Sequence, residues 1–266
     1  MSTQFDFSDK LVLVTGGSSG IGLAIAQGFL QAGAMVTVTG TAPEPDGYPA
    51  DLSAFIYYGV NMLDVDKIEA LAASFNRLDV LVNNAGMTFR NKEALKPENF
   101  EATIDINLNA VYRLCHRLHP LLKASQGSII NIASMTSYFG SPRVPGYGAS
   151  KSAILQMTKT LGALWASDGV RVNSIAPGWI NTKMTEPIQN NSAVADPIVQ
   201  RTPMDRWGQP EEMAGTALFL ASNDVASFIT GVTIPVDGGY CALSVSYTHL
   251  RAHETRHDLV CRLLLE

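Results

Sequence analysis

The chain has 266 residues, 46% of them hydrophobic and 16% charged, which is enough apolar material to bury one large core. Its formal net charge is -5 and its pI about 5.5, with no run of lysines or arginines, so nucleic acid and anionic membranes are not expected as partners. The start lacks the features of a secretory signal, no apolar run is long enough to span a bilayer, and the three cysteines have no metal-ligand spacing. These features favour a cytoplasmic protein that acts on a small molecule without a metal.

The first predicted element is a strand at residues 10–14, followed by a glycine-rich turn and a helix. The glycines let the backbone approach a ligand closely, and the helix start offers unpaired N–H groups and a positive dipole end to a pyrophosphate. An ordinary glycine-rich turn is the alternative. The residues predicted to hold the pyrophosphate are Gly16, Ser18, Ser19, Gly20, Ile21 and Gly22.

The second strand is predicted at residues 34–39 and is followed by Gly40 and Thr41. A dinucleotide site has its cofactor discriminator at this point: an acid takes the ribose hydroxyls of NAD, and an arginine favours the phosphate of NADP. Neither residue type is present, so the choice of cofactor stays open. Residues 41–53 carry three prolines and are predicted to form a loop instead of a helix.

Polar residues follow the third and fourth strands, which are predicted at residues 54–60 and 78–82. Asn61 and Met62 come after the third strand, where an adenine would lie, although Asn61 is as easily a turn residue. The fourth strand leads into Asn83-Asn84-Ala85-Gly86, which usually marks only a turn but here stands at the same sheet edge as the glycines. The residues predicted to line the cofactor cleft there are Asn83, Ala85 and Gly86.

A long helix is predicted from residue 97, with apolar residues at helical spacing. Asn107 lies among those apolar positions, where its amide needs a hydrogen-bond partner. The next strand, at residues 127–133, is followed by Ser134. Ligands bind beyond the carboxyl ends of strands in open α/β sheets, so Ser134 is placed to bond a substrate oxygen, although a serine at a strand end is most often unremarkable.

Tyr147 and Lys151 open the following helix, four residues apart and therefore on one face. A nearby cation favours the ionised form of a phenol, so Tyr147 is a candidate proton donor or acceptor. For this spacing taken alone, an exposed helical pair is the common alternative. The rest of the chain decides between the two.

The sixth strand is predicted at residues 169–175 and leads into Pro177-Gly178-Trp179-Ile180-Asn181-Thr182 at the same edge. Residues 183–209 are polar, broken by prolines and weakly periodic, which predicts a mobile flap over a pocket. A helix at residues 211–221 and a strand at 231–235 follow. This alternation of strands and helices predicts one α/β domain with a doubly wound parallel sheet flanked by helices.

These motifs resemble the short-chain dehydrogenase/reductase family over residues 10–240. The resemblance implies a Rossmann-type fold, a homotetramer or dimer, and a hydride transfer between a nicotinamide cofactor and a ketone or secondary alcohol. It also implies that Tyr147 is the acid/base and that Lys151 lowers its pKa and holds the nicotinamide ribose. Ser134 would orient the substrate carbonyl, and Asn107 would anchor a water in the proton relay.

The same resemblance assigns further residues to the cofactor, with Thr182 and the Ile180 backbone on the carboxamide and Asn61 facing the adenine. The full set beyond the glycine turn is Thr41, Asn61, Met62, Asn83, Ala85, Gly86, Tyr147, Lys151, Pro177, Gly178, Ile180 and Thr182. The chain departs from the family in its proline-broken loop and in lacking the usual specificity residues at positions 19, 40 and 41. NADP is slightly favoured over NAD, because no acid at position 40 would repel a 2′-phosphate.

The sequence constrains the identity of the substrate less than that of the cofactor. Pocket candidates that suggest a mostly apolar substrate are Met135, Tyr138, Phe139, Val144, Trp179 and Met184. A 3-oxoacyl-carrier-protein reductase ranks second, because residues 124–126 and 167–168 lack the arginines with which such reductases dock a carrier protein. A non-catalytic dinucleotide sensor or scaffold is the alternative of another class, which the complete proton-relay set disfavours.

The domain is predicted to span residues 1–243, with residues 244–266 as a tail outside it. Residues 245–250 can be back-translated into a sequence that resembles the adapter of a transposon-based sequencing library, so the tail is interpreted as non-native. A genuine arm that packs on a neighbouring subunit is the alternative. Under the first interpretation, removing residues 244–266 leaves the activity and the melting temperature unchanged.

Overall fold

A computed structural model describes residues 5–243, so the predicted tail at 244–266 lies outside the described residues. The strands of this part are β1 Leu11–Val14, β2 Met35–Gly40, β3 Ile56–Gly59, β4 Val80–Asn83, β5 Ser128–Ile132, β6 Arg171–Pro177 and β7 Thr233–Val236. They form one parallel sheet in the order β3-β2-β1-β4-β5-β6-β7. The predicted doubly wound α/β architecture is confirmed.

Helices connect the strands on both faces of the sheet. The α-helices are α1 Gly20–Gln31, α2 Val65–Ala73, α3 Pro97–Ile104, α4 Ala110–Ser125, α5 Pro145–Leu164, α6 Glu186–Gln189, α7 Ser192–Arg201, α8 Glu212–Ala221 and α9 Asn223–Ala226. Short 3-10 segments occur at Pro45–Gly47, Asn91–Leu95, Met135–Ser137 and Ala166–Asp168. No helix within residues 5–243 is both long and apolar enough to cross a membrane.

The central strands are buried on both faces, because successive side chains of a strand point to opposite sides of the sheet. Leu13 and Leu81 face one core, which α2, α4 and α5 cover. Val12, Val14 and Val82 face the other core, which α1 and α8 cover. None of these five side chains is more than 1% exposed, so both cores exclude water.

The direction of winding reverses between β1 and β4. The chain runs outward from β1 through β2 to β3, and then crosses back to place β4 on the other side of β1. The loops that follow β1 and β4 therefore leave the sheet in different directions and open a crevice between them. The glycine turn and residues 83–86 meet at this crevice, as the sequence predicts.

The helix predicted from residue 97 is interrupted. It divides into α3 and α4 at a π-helical turn, Asp105–Asn109, with Asn107 at the centre. A π-helical turn accommodates one extra residue and is frequent at functional sites. The apolar pattern continues across the interruption, which explains why periodicity alone predicts one continuous helix.

The segment at residues 183–209 is more regular than predicted. It contains α6 and α7, although Pro187 and Pro197 lie inside those helices. Pro187 occupies the first turn of α6, where no helical N–H bond is lost, and Pro197 removes a single hydrogen bond from α7. Ala195 and Ile198 of α7 are buried. The weak periodicity of the segment thus conceals two helices, and the flap stays a prediction.

Candidate active site

The glycine turn forms a cradle at the start of α1. Gly16 and Gly20 have φ angles of 62° and 54°, which glycine adopts at little cost. A Cβ at Gly22 would lie 2.3 Å from both Nδ2 of Asn84 and the carbonyl oxygen of Gly16, so no side chain fits there. The first turn of α1 carries no acidic residue that would occupy its N–H groups. The shape and polarity of the cradle fit a pyrophosphate.

Thr15 and Asn84 hold this turn in place, a role that the sequence pattern does not reveal. Asn84 donates from Nδ2 to the carbonyl oxygens of Thr15 and Gly16, both at 3.0 Å. The Thr15 hydroxyl accepts the N–H groups of Asn84 and Ala85, both at 3.0 Å. The end of β4 is thereby tied to the turn that follows β1.

Thr182 lies across the cradle from the glycine turn. Its side chain is 3.4 Å from the position that a Cβ on Gly20 would take. Ile180 is buried, and its carbonyl oxygen accepts the Thr185 hydroxyl at 2.6 Å. Gly178 approaches Asp237 so closely that a Cβ would lie 2.6 Å from its Cα, which explains the glycine after Pro177. The structure thus brings residues 177–182 and the glycine turn to one crevice.

Three predicted cofactor residues direct their side chains elsewhere. Met62 is buried in the core that α2 and α4 cover. Asn83 is also buried, and it donates from Nδ2 to Oδ1 of Asn131 at 2.9 Å, joining β4 to β5. Asn61 is exposed, and its Oδ1 accepts the N–H of Leu63 at 3.0 Å. This hydrogen bond is typical of a turn residue, which was the alternative interpretation of Asn61. For Met62 and Asn83, only the backbone can face a ligand at the sheet edge.

Tyr147 and Lys151 share one face of α5, as their spacing predicts. Nζ of Lys151 lies 5.8 Å from the centroid of the Tyr147 ring. It donates to the carbonyl oxygen of Ile132, at the end of β5, at 2.6 Å. Lys151 is 4% exposed, and this burial lowers its pKa to about 8. The amine is thus held beside the phenol by the sheet.

The pKa of Tyr147 departs from the sequence expectation. Burial raises it above its ordinary value, and the smaller effects of a hydrogen bond with Ser134 and of the positive charge of Arg90 lower it. The net shift is upward, so the phenol stays protonated at neutral pH. The lowering by Lys151 that the resemblance implies stays a prediction.

Ser134 lies at the end of β5, opposite the Tyr147 hydroxyl. It is 7% exposed and accepts hydrogen bonds from the N–H and the hydroxyl of Thr136 at 3.2 and 3.0 Å. These bonds fix its oxygen at the mouth of the sheet edge. A hydrogen bond between the two side chains brings Ser134 and Tyr147 together.

Asn107 is fully buried in the π-helical turn and has the partners that its burial requires. Its Oδ1 accepts the N–H of Met87 at 2.9 Å, and its Nδ2 donates to the Met87 carbonyl oxygen at 2.9 Å and to the Ser150 hydroxyl at 3.1 Å. Ser150 in turn donates to the carbonyl oxygen of Tyr147 at 2.8 Å. A Cβ at Gly86 would lie 3.2 Å from Oδ1 of Asn107, so this glycine permits the close approach. Ser150 emerges as a positioning residue that the sequence pattern does not reveal.

A comparison with known families gives this arrangement its identity. A family model described as enoyl-(acyl carrier protein) reductase matches residues 16–241. The chain belongs to the short-chain dehydrogenase/reductase family. The match includes the glycine turn, residues 83–86, Asn107, Ser134 and the Tyr147–Lys151 pair.

Similar proteins narrow the chemistry of this short-chain dehydrogenase/reductase. A 3-oxoacyl-[acyl-carrier-protein] reductase of Thermotoga maritima is 37% identical over 247 residues, which cover 86% of this chain and 97% of the relative. A 2-dehydro-3-deoxy-D-gluconate 5-dehydrogenase of Bacillus subtilis is 36% identical over 250 residues, which cover 89% and 96%. The solved structure of a gluconate 5-dehydrogenase from Burkholderia cenocepacia, in complex with NADP and tartrate, has a TM-score of 0.82 at 31% identity and covers 91% of this chain and 98% of that one. The chain is an NAD(P)-dependent oxidoreductase that acts on CH–OH groups, which confirms the enzymatic prediction over a non-catalytic sensor or scaffold.

Some predicted substrate residues of this dehydrogenase line a cavity beside the catalytic helix. The cavity has a volume of about 450 Å³, and Tyr138, Phe139 and Val144 contribute to its wall together with α5. Phe139 is also stacked by the guanidinium of Arg201, whose carbon lies 5.3 Å from the ring centroid. This contact links α7 to the segment after Ser134.

Met135, Trp179 and Met184 do not line that cavity. Met135 is 4% exposed and belongs to the interior, whereas Met184 is 43% exposed. Trp179 packs edge-on against Trp207, with the ring centroids 5.4 Å apart. Because the side chain of Met135 is enclosed by protein, it is not placed to contact a substrate in that cavity.

Arg90 lies near Tyr147, and sequence reasoning misses it. It is half-buried, and its guanidinium donates to the carbonyl oxygen of Met184. Burial lowers the pKa of Arg90, and its interaction with Tyr147 raises it. A positive charge thus lies near the Tyr147 hydroxyl, between the segment after β4 and residues 183–209. A lone arginine four residues beyond Gly86 belongs to no motif that could have indicated this.

Proposed function

We propose that this enzyme interconverts a ketone and a secondary alcohol with Tyr147 as the acid/base, Ser134 as the group that orients the substrate oxygen, and Lys151 and Asn107 as supporting residues. The observation that carries the proposal is the convergence of Ser134 and Lys151 on Tyr147 at the carboxyl end of the sheet. A bound nicotinamide supplies or accepts the hydride. A protein that only held a dinucleotide would gain nothing from this convergence.

The protonated phenol of Tyr147 donates its proton to the substrate oxygen as negative charge develops there, and takes it back in the reverse direction. The Ser134 hydroxyl donates a hydrogen bond to the same oxygen and so stabilises its charged form. Arg90 and Lys151 stabilise the phenolate that remains, because a nearby positive charge favours an anion. The raised pKa of Tyr147 suits the donating direction.

Lys151 has a second task in this proposal. An ammonium group has three N–H donors, and the Ile132 carbonyl oxygen takes one of them. The others are available for the ribose hydroxyls of the cofactor. With the glycine turn on the pyrophosphate and Thr182 on the carboxamide, the cofactor would lie along the crevice, and we infer a slight preference for NADP over NAD.

We infer a small substrate with an acidic group. Tyr138 and Phe139 provide apolar surface in the cavity along α5, and Arg90, which is not part of that cavity wall, adds a positive charge near the Tyr147 hydroxyl. A guanidinium pairs well with a carboxylate when both are partly desolvated. The sugar acid named for the Bacillus subtilis relative and the tartrate in the Burkholderia cenocepacia complex both carry carboxylates.

A 3-oxoacyl-carrier-protein reductase remains the second candidate, which the Thermotoga maritima relative favours. A substrate panel distinguishes the two functions. It contains 2-dehydro-3-deoxy-D-gluconate, other keto acids, uncharged ketones and an acetoacetyl thioester. The oxidation of NADPH or NADH by the full chain is followed by absorbance. We expect the keto acids to give the highest kcat/KM.

A variant of Arg90, assayed with the same substrate panel, tests the role of this residue. Arg90→Met is expected to lower kcat/KM for every ketone, because a positive charge near the Tyr147 hydroxyl is lost, and to lower it for keto acids by roughly a further 10-fold. Lys92→Met, which removes an exposed charge two residues away, is the matched control and should change neither. Equal losses for charged and uncharged ketones would contradict the acidic-substrate proposal, and preferential turnover of the thioester would favour the reductase.

We further propose that the enzyme works in the cytoplasm, where its cofactor is available, as a homotetramer. The support for association is the exposure of apolar side chains on helices and near β7: Tyr112 is 51% exposed, Leu164 62% and Phe228 103%. Light scattering on the full chain measures the mass in solution. A monomer at micromolar concentration would contradict the assembly.

A further inference from the structure

A tyrosine from the proline-rich loop lies over the end of β2. The hydroxyl oxygen of Tyr48 accepts the N–H of Thr41 at 2.6 Å and the N–H of Ala42 at 3.0 Å, and it lies 3.3 Å from the Thr41 hydroxyl. A Cβ at Gly40 would be 2.4 Å from the same oxygen. The position where a dinucleotide site discriminates between its cofactors is therefore covered by Tyr48.

The donors around this oxygen form a site that favours negative charge. Two successive backbone N–H groups that converge on one oxygen are a common anion-binding arrangement. Burial raises the pKa of Tyr48, but hydrogen bonds with Thr41, Ala42, Ser18 and Tyr57 outweigh that effect and lower it to about 8. The same donors would stabilise a phosphate oxygen in the same place.

Ser18 connects this site to the glycine turn. It is buried in the turn that the pyrophosphate would occupy, and it also interacts with the Tyr48 hydroxyl. In a doubly wound sheet, the adenosine ribose lies between that turn and the end of the second strand. The 2′-position of the ribose is thus the part of a dinucleotide that would reach the N–H groups of Thr41 and Ala42.

Neighbouring groups hold Tyr48 in position. Tyr57 of β3 donates its hydroxyl to the carbonyl oxygen of Ala42 at 2.5 Å, and the rings of Tyr48 and Tyr57 are 6.1 Å apart. A Cβ at Gly59 would lie 2.7 Å from the Ala42 carbonyl oxygen, so the loop is closely packed on β3. Moving the Tyr48 hydroxyl therefore means breaking its own hydrogen bonds and shifting its ring within this packed loop.

We propose that Tyr48 limits the preference of the enzyme for NADP, because its hydroxyl competes with the 2′-phosphate for the N–H groups of Thr41 and Ala42. NAD carries a hydroxyl at this position and can bind beside the tyrosine, whereas the phosphate of NADP must displace the phenolic oxygen. The inference rests on the proposed dinucleotide function and names the residue that sets its cofactor choice. Tyr48 would act as a specificity-determining residue that touches the cofactor and takes no part in the chemistry.

Calorimetric titration of the full chain with NADPH and with NADH tests this inference without any substrate. Tyr48→Phe removes the competing oxygen, and Tyr48→Ala removes the ring as well. Each is expected to raise the affinity for NADPH by roughly five- to tenfold and to leave the affinity for NADH within about twofold. Tyr58→Phe is the matched control, because this neighbouring β3 residue packs against the core on the other face of the sheet.

The outcomes separate this inference from the proposed function. If NADPH and NADH bind but their affinity ratio is the same in the wild type and both Tyr48 variants, the role of Tyr48 is wrong and the dehydrogenase proposal stands. If neither cofactor binds to the folded wild type or to any variant, both are wrong. Circular dichroism and melting temperatures confirm that each variant is folded.

The pH dependence of the affinity ratio gives a second readout. Above pH about 8 the wild-type Tyr48 becomes a phenolate, which repels the 2′-phosphate. Tyr57 of β3 stays neutral in this range because burial and the neighbouring Tyr48 raise its pKa, and Glu44 of the same loop adds to that effect. The preference for NADPH should therefore fall as the pH rises through this value in the wild type and not in Tyr48→Phe. A parallel fall in the variant would contradict the assignment.

Discussion

At the scale of single residues, Lys151 is an example of a site residue that lowers the stability of the fold. Its amine is almost fully buried, and burial lowers its pKa to about 8. It donates one hydrogen bond to the Ile132 carbonyl oxygen, which only partly replaces water around the ammonium. The charge of Lys151 therefore makes the fold less stable, which agrees with the roles proposed for it beside Tyr147 and at the cofactor.

Lys151→Met is therefore expected to raise the melting temperature, measured without added cofactor, while abolishing turnover. A gain of about 1 kcal/mol corresponds to roughly 2–4 °C for a protein of this size. The gain is largest below pH about 8, where lysine is charged in both the folded and the unfolded state, and it shrinks at higher pH as the folded lysine loses its proton first. Scanning calorimetry across this pH range measures it, and a lower melting temperature at neutral pH would contradict the account.

Ser150 tests the hydrogen bonds that position the tyrosine. Ser150→Ala removes the hydroxyl that joins the Asn107 amide to the Tyr147 carbonyl oxygen. Because the variant loosens the reacting geometry and not the binding surface, kcat should fall by roughly tenfold with KM nearly unchanged. Thr160→Ala, on the exposed face of α5, is the control. A raised KM with an unchanged kcat would show that Ser150 acts on binding instead.

The meeting of the candidate catalytic residues could be predicted from simple geometry, whereas their roles were implied by the resemblance to the family. Tyr147 and Lys151 meet through helical spacing, and Ser134 reaches them through its place at the end of a parallel strand. The directions of Met62 and Asn83 were less predictable, because a side chain at a strand end can face the core or the crevice. The pKa of Tyr147 depends on burial and on Arg90, and local spacing contains neither.

At the scale of elements, a buried arginine joins β6 to the end of α8. Arg171 is 7% exposed, and its guanidinium donates to the carbonyl oxygens of Leu220 at 2.5 Å and Ala221 at 2.8 Å. It also donates to Oδ1 of Asn223 at 3.1 and 2.9 Å. These carbonyls have no partner within α8 itself, since they belong to its last turn.

Arg171→Met is expected to lower the free energy of unfolding by roughly 2–4 kcal/mol, because it takes the guanidinium away from two buried carbonyl oxygens. The Leu220 carbonyl oxygen then keeps only the Ser128 hydroxyl, at 3.4 Å. Arg117→Met is the comparison: it breaks the exposed ion pair with Glu69, at 2.6 Å, and should cost no more than about 1 kcal/mol. Urea unfolding of both variants measures the difference. Equal losses would mean that the helix end has other donors in the folded protein.

Most elements were predictable from apolar periodicity, while the exceptions have physical causes. The π-helical turn at Asp105–Asn109 leaves no trace in the spacing of apolar residues, although the buried Asn107 marks its place. The prolines make composition alone suggest a loop, yet Pro187 stands in the first turn of α6, where helices tolerate it, and α7 forms although Pro197 lies in its interior. Tertiary contacts of Ala195 and Ile198 supply stability that local propensity lacks.

At the scale of the whole molecule, the alternation of strands and helices determined the parallel sheet, and the sheet determined where the site lies. The reversal between β1 and β4 brings the glycine turn to residues 83–86, and the ends of β5 and β6 add Ser134 and residues 177–182. The sequence pattern could not predict long-range contacts of single side chains. Arg90 near Tyr147 and Tyr48 over Gly40 arise from how loops pack on this edge.

The central claim is that Tyr147 transfers a proton while the rest of the crevice binds the cofactor. The most direct measurement compares wild-type enzyme and Tyr147→Phe for both cofactor affinity and turnover of the best ketone in the panel, with Tyr58→Phe, which packs against the core, as the control. The account predicts that Tyr147→Phe binds NADPH within about twofold of the wild type and loses at least about 100-fold in turnover, whereas Tyr58→Phe keeps both. Turnover by Tyr147→Phe at the wild-type rate would contradict the account.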